Sequence, residues 1–236
     1  MTHHIAKQCL RSLLLTGLFW SSVNLMQGQV NILVGYKPVY QNPTTLNGFI
    51  ADYNSTLPSG TATMPPQHWL HGLRVGFRYK LAETAFEANY DNAFNTRVVR
   101  SRNTSGELAR EKVLNVQQVS YGLGLMQYFG MFGFGGSIDY LQMNTSFDDY
   151  TSSQAKFELK RNGFSSHFYV AFEADNGGMV AVSLRPYIQL MWSDINLYPL
   201  ANRLAPDIHN QPLVGNYDYR YPNFGIMIVL CNGPQQ

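Results

Sequence analysis

The sequence predicts an all-β chain: an antiparallel eight-stranded transmembrane β-barrel with short periplasmic turns and long outer loops. Three observations predict it. Eight stretches alternate apolar and polar side chains with a period of two, the pattern of a strand with one apolar face. The connections alternate long and short, as in outer-membrane barrels, whose periplasmic turns are short and outer loops longer. An export signal precedes the first strand.

Composition removes the alternatives. Charged residues make up 14% of the 236, against roughly 25% in an average soluble domain. Aromatics also make up 14%, with 15 Tyr and 14 Phe, yet mean hydropathy is −0.19. A disordered chain would be charge-rich and aromatic-poor. A helical multi-span protein would need apolar runs of about 20 residues, which are absent beyond the N-terminus.

Residues 1–28 read as a secretory signal peptide. Lys7 and Arg11 form the positive start, and Leu13 to Trp20 form an apolar core too short to span a bilayer as a helix. Gly28 is small, so cleavage is expected before Gln29, leaving a barrel domain over 29–236. Cys9 lies before the apolar core, unlike a lipoprotein attachment site, and Cys231 alone cannot form an internal disulfide. Loss of the signal removes Lys7 and Arg11 and no acid, leaving 15 basic against 15 acidic residues. That balance argues against a nucleic-acid partner.

The strands are read at 30–38, 69–80, 85–95, 114–128, 132–144, 164–175, 179–193 and 217–231. In 179–193 the even positions include Val180, Val182, Leu184, Pro186, Ile188, Leu190 and Trp192, while Ser183, Arg185, Gln189 and Ser193 are odd. No segment beyond the signal carries a clear helical period. The long connections are 39–68, 96–113, 145–163 and 194–216; the short ones are 81–84, 129–131 and the turn around 176–178.

Register supports antiparallel neighbours. A turn at 81–84 sets Arg78 opposite Glu87 and Arg74 opposite Asp91, with Phe77 facing Ala88 and Val75 facing Tyr90. Unlike charges directly opposed favour a pairing by roughly 0.2–1 kcal/mol each. In the next hairpin, Leu125 is expected opposite Phe134, Tyr121 opposite Ile138, and Ser120 opposite Asp139.

The polar face carries Lys37, Arg74, Arg78 and Arg185 with Glu87, Asp91, Asp139 and Glu173, beside His167, Gln118, Gln189, Tyr169 and Tyr187. Four bases balance four acids mid-strand, and several glycines share their face. This suits a narrow lumen, which eight strands leave just wide enough for side chains to fill. The eight charges are therefore expected to form a structural network inside the barrel. Trp69, Tyr79, Tyr90, Tyr121, Phe129, Phe132, Tyr140, Phe172 and Trp192 lie on or beside the apolar face, as aromatic girdles do at the two membrane interfaces.

On these residues the chain resembles the small eight-stranded outer-membrane barrels of the OmpA, OmpX and OmpW types. Gln29-Val30-Asn31 after a signal is similar to the start of many exported proteins of the Bacteroidota. Asn223 to Leu230 resembles the terminal strand that the barrel-assembly machinery recognises, although the usual closing Phe is absent and the chain continues from Cys231 to Gln236. The resemblance implies an integral outer-membrane location, surrounding outer-membrane lipid, and other outer-membrane proteins as candidate partners.

Signatures of chemistry are sparse. His68 and His71, three apart on a strand, face opposite sides and cannot chelate one metal. His209 stands alone in a loop. Asp148 and Asp149 are read as solvated loop acids rather than a calcium site. Ser165 and His167 share the lumen face, but i, i+2 spacing holds their Cα atoms about 7 Å apart, and a nucleophile and its base must meet at about 3 Å. Gly133 to Gly136 has neither the following helix nor the Lys-Ser/Thr pair of a phosphate loop. We therefore expect no catalytic residue, no metal and no cofactor. The function expected is a non-enzymatic barrel whose loops bind or whose wall supports the membrane. The alternatives are an accessory subunit of a secretion, assembly or uptake complex, and an OmpW-like conduit for small apolar molecules, against which the charge-paired lumen counts.

Overall fold

A computed structural model describes residues 28–57, 61–102, 108–150, 156–174, 180–204, 218–219 and 222–232. The signal segment up to residue 27, the turn at 176–178 and His209 lie outside them. The strands are β1 (Gln29–Tyr36), β2 (Val39–Tyr40), β3 (Trp69–Leu81), β4 (Thr84–Arg102), β5 (Leu108–Phe129), β6 (Phe132–Asp149), β7 (Phe157–Ala174), β8 (Val180–Met191), β9 (Ile195–Asn196), β10 (Asp218–Tyr219) and β11 (Asn223–Asn232). β1 and β2 are one barrel strand interrupted at Pro38: Tyr36↔Leu73 and Val39↔Leu70 keep a single register, and Lys37 N–H bonds Gly72 O at 2.8 Å between them. With β1 paired to both β3 and β11, and β11 to β8, eight antiparallel strands close into a ring. Closure leaves no sheet edge, as a wall in lipid requires.

The first hairpin has the expected register, with Arg78↔Glu87, Arg74↔Asp91 and Phe77↔Ala88. The second differs by two residues: Leu125 meets Gly136, Tyr121 meets Tyr140, and Asp139 meets Gly122 rather than Ser120. The cause is a two-residue turn. Phe129 pairs with Phe132, and Gly130 takes the positive φ of 65° that so tight a turn needs. A slip of two preserves which face each side chain occupies. The β7–β8 ladder skips Val170 and Ala171, beside Pro186, which has no N–H to donate.

Two expected long loops are mostly strand. β4 to β7 run far beyond 95, 114, 144 and 164, so the connections shrink to 103–107 and 150–156. The period of two persists there in opposite phase. On β6, Phe134, Ile138 and Tyr140 point outward at even positions, whereas Leu141, Met143 and Phe147 are buried inward at odd positions. On β5 the outward Tyr121, Leu123 and Leu125 give way to the inward Leu114 and Val116. A reading that follows one apolar face loses the strand where the apolar residues change sides.

The other two long connections hold helices, contrary to the expectation of none: α1 (Thr44–Ser55) and α2 (Tyr198–Leu204). In α1 the buried residues are Leu46, Phe49, Ile50 and Tyr53, an i, i+3, i+4, i+7 stripe. α2 buries Leu200, Ala201 and Leu204. The last barrel strand begins at Asn223 rather than 217, because Asp218 and Tyr219 pair with β9 instead. The helices, β9 and the inner faces of the projecting β4–β7 share one apolar core. This cap closes one end of the barrel. At the turn end, Leu33, Met126, Met227, Val229 and Cys231 form a second, smaller core.

Candidate functional site: the lumen and the outer wall

The strands alternate, so every second side chain enters the lumen. All eight residues of the expected charge set are inside: Lys37, Arg74, Arg78, Glu87, Asp91, Asp139 and Arg185 are buried, and the Glu173 side chain is 11% exposed. Glycine makes room where the packing is tightest. A Cβ at Gly122 would collide with the Asp139 carboxylate, and one at Gly135 with the Tyr169 ring.

In the charged group nearest the cap, Arg74 grips Asp91 with two bonds, Nε to Oδ1 at 2.6 Å and Nη2 to Oδ2 at 2.8 Å. Lys37 Nζ donates to the same Oδ2 at 2.7 Å and lies 2.7 Å from His167 Nε2. An ammonium only donates, so Nε2 accepts, and Nδ1 carries the ring proton toward Asp139 Oδ2 at 2.5 Å. Ser137 Oγ donates to Asp139 Oδ1 at 3.0 Å. Above this group an amide layer joins Gln118, Gln189, Ser165 and Asn223 at 2.9–3.1 Å.

Two ion pairs cross the whole lumen. Arg185 Nη1 on β8 donates to Glu87 Oε2 on β4 at 2.9 Å, and the Tyr169 hydroxyl adds a bond at 3.0 Å. Arg78 Nη1 on β3 donates to Glu173 Oε2 on β7 at 2.7 Å, with Tyr128 bonded to both partners. In the ring, β4 and β8 are diametric, as are β3 and β7. The expectation that Arg78 neutralises Glu87 is thus corrected. Their Cα atoms oppose, but both side chains are long enough to cross a lumen this narrow and find partners on the far wall. Asn31 and Tyr128, which complete the Arg78 site, were missed by sequence reasoning, although Tyr128 has the correct parity for the lumen.

Ser165 Oγ accepts from Gln189, and both His167 ring nitrogens are engaged by Lys37 and Asp139. No nucleophile–base pair links them. Asp149 pairs with Lys112 at 3.1 Å. Among the described residues no group of three or more His, Cys, Asp or Glu is placed to hold a metal ion.

The outer wall is the opposite of the lumen. Val30, Leu73, Phe77, Leu123, Phe134, Ile138 and Ile226 are more than half exposed. One aromatic row runs Tyr90↔Tyr121↔Tyr140↔Phe164 by register and reaches Trp192, whose ring centroid is 6.4 Å from that of Phe164. Near the cap end of β1–β3 stand Tyr36, Tyr40 and Trp69, with Tyr36 Oη 2.7 Å from His71 Nδ1. Phe129, Phe132 and Phe172 lie at the turn end. Tyr140 and Phe132 are eight residues apart on β6. At about 3.3 Å per residue and roughly 40° of tilt, the two belts are about 20 Å apart, close to the apolar band of a membrane barrel.

Beyond the cap-side belt the outer face turns polar. Phe94, Gln117, Asn144 and Lys160 form one cross-strand row, and Thr96, Asn115, Ser146 and Glu158 the next. All of these except Thr96 line a shallow groove of about 420 Å³, with Lys156 at its margin. Lys156 Nζ sits 2.9 Å from Glu158 Oε1, and this hydrogen bond holds the Lys156 pKa above and the Glu158 pKa below their ordinary values.

An eight-stranded antiparallel β-barrel with an ionic interior and an apolar, aromatic-belted exterior is the class that fold and site define. No known family matches the chain, and no curated protein matches it. Solved structures do. The attachment invasion locus protein Ail of Yersinia pestis, solved with the heparin analogue sucrose octasulfate, is 7% identical over 87% of this chain and 98% of its own, with a TM-score of 0.49. The outer-membrane protease OmpT of Escherichia coli is 10% identical over 87% and 95%, with a TM-score of 0.40. The outer-membrane protein OprG of Pseudomonas aeruginosa is 13% identical over 87% and 93%, with a TM-score of 0.38.

Proposed function

We propose that the chain is a non-enzymatic integral protein of a bacterial outer membrane, whose capped end faces the exterior as a binding or structural surface. One observation carries this reading. Between the two aromatic belts the outer wall is almost wholly apolar, whereas beyond the cap-side belt most apolar residues turn inward and the outer face is largely polar. Such a wall is stable only where lipid surrounds that zone and water surrounds the rest. The tight turns and the barrel's first and last strand ends, Gln29 and Asn232, share one end, which suits a periplasmic side. β1 begins at Gln29, the residue expected to follow the signal cleavage site. The surrounding partner is outer-membrane lipid, with other outer-membrane proteins as candidates for a complex.

The lumen favours a closed wall over a conduit. Two ion pairs span it, and the cap and the turn-end core close both mouths. Opening a path would orphan buried charges at about 3–5 kcal/mol each. In a Gram-negative host the protein should remain in the outer membrane through alkaline extraction, carry Gln29 as its first residue, and give no steady conductance in planar bilayers. Recovery as a soluble chain with Met1 intact would overturn the location. Steady single-channel currents would replace the closed wall with a transport role. A partner held at fixed stoichiometry in mild detergent would make it a subunit of a larger complex.

A further inference from the structure

The groove on the outer face of β5–β7, bordered by Phe94, brings carboxamides, an exposed aromatic ring and lysines together just beyond the cap-side belt. Its centre is Asn115, Gln117, Asn144 and Ser146, all half-buried, with Phe94 51% exposed at one side and Lys160 exposed at the other. The charged residues of the groove, Lys156, Glu158 and Lys160, all lie on its β7 side. Here four uncharged amides and hydroxyls lie together on neighbouring strands. Carboxamides donate and accept at once, and so match vicinal hydroxyls. An exposed aromatic edge among amides offers a flat apolar surface to the C–H face of a sugar ring. Glu158, in the same groove, is bonded to Lys156 and also feels the charge of Lys160, which among the described residues has no carboxylate within ion-pair distance.

Height selects the occupant. The row Phe94, Gln117, Asn144 and Lys160 stands four residues beyond the belt row Tyr90, Tyr121, Tyr140 and Phe164 on every strand. Four residues at about 3.3 Å, tilted by roughly 40°, place it about 10 Å above the belt. The headgroup zone of a phospholipid bilayer adds only about 5–8 Å per side to the hydrocarbon core. The groove therefore opens at or above the phospholipid phosphates, at the level that a sugar-bearing headgroup occupies. A lysine near an anionic membrane surface is drawn to its phosphates, and the two lysines leave the groove with an excess positive charge over Glu158.

We propose that this groove binds the phosphorylated saccharide headgroup of an outer-leaflet glycolipid. Sugar hydroxyls meet Gln117 and Asn144, a ring packs on Phe94, and a phosphate meets Lys160. The inference rests on the outer-membrane reading above. The test reconstitutes the full mature protein in phosphatidylglycerol/phosphatidylcholine vesicles containing either rough lipopolysaccharide with its inner-core sugars or lipid A without them. Native mass spectrometry then counts the glycolipid retained on release into detergent. Wild type should retain the sugar-bearing lipid at least tenfold better than lipid A. The double variant F94A/K160E should lose that preference, and I226A, on the lipid face of β11, should keep it. Equal retention of the two lipids, or a preference unchanged in F94A/K160E, would overturn the proposal. So would equal capture of the free core oligosaccharide by detergent-solubilised protein, which would make the groove a receptor for soluble glycans. Failure to insert into either vesicle would overturn the outer-membrane reading and this inference with it, whereas insertion without preference overturns this inference alone.

Discussion

The belted barrel and the cap are built on the same four long strands, yet they are inside-out relative to each other. Between the belts, Ile138 on β6 faces outward and Asp139 inward. A few residues on, Ser146 faces outward and Phe147 inward. Backbone geometry does not change along the strand, so the surroundings decide. Lipid rewards an apolar exterior and forces charges into the lumen, where only mutual pairing makes them tolerable. Water rewards the reverse. The cap therefore needs apolar cover for a half-open sheet, and α1 and α2 supply it through Phe49, Ile50 and Leu200.

The comparison breaks most severely at the girders. Glu87→Ala leaves Arg185 buried without its carboxylate, and should cost about 3–5 kcal/mol of unfolding free energy in urea titrations from vesicles. Asn89→Ala, on the same strand, should cost far less, since among the described residues neither of its buried amide atoms has a hydrogen-bond partner. A similar cost for both would mean that the cross-lumen pair does not brace the wall.

Phe49→Ala should cost a comparable amount, about 3–5 kcal/mol for a buried aromatic, but confined to the cap. Limited proteolysis should cut the connections around α1 faster while the belted strands stay protected. Loss of the whole barrel would join the two regions into one cooperative unit.

The phase inversion can be tested on one face of one strand. Arg at Ile138, about halfway from the midplane to the cap-side belt, should impede insertion by roughly 1–2 kcal/mol, between the penalties for a charge at the midplane and at the interface. Arg at Ser146, eight residues away on the same side, should be nearly neutral in the same folding assay. Equal penalties at the two sites would move the membrane boundary beyond Ser146.

The smallest effect is at a turn common to neither region. Ala82 holds φ at 52°, a left-handed conformation that costs an L-residue about 1 kcal/mol. Ala82→Gly should recover up to that amount in the urea midpoint, without altering the contents of lumen or cap.

By itself the sequence determined the number of barrel strands, the first hairpin's register, and which eight charges face inward. Each follows from a period of two and local turns, which neighbouring residues encode. The α1 stripe of Leu46, Phe49, Ile50 and Tyr53 was equally legible at helical spacing, but was overlooked inside a segment rich in Pro, Asn and Thr. Three things were decided only in three dimensions. The second hairpin's register depended on the left-handed geometry at Gly130. The reach of β4–β7 beyond the cap-side belt depended on a cap formed by segments about 50–100 residues away in the chain, which gave inward-facing Leu114, Val116 and Phe147 something to cover. The pairing of Arg78 with Glu173 and of Arg185 with Glu87 depended on closure of the ring. Strand pattern is local and fixes a side chain's face, whereas its partner across a lumen is set by which strands the closed barrel places diametrically.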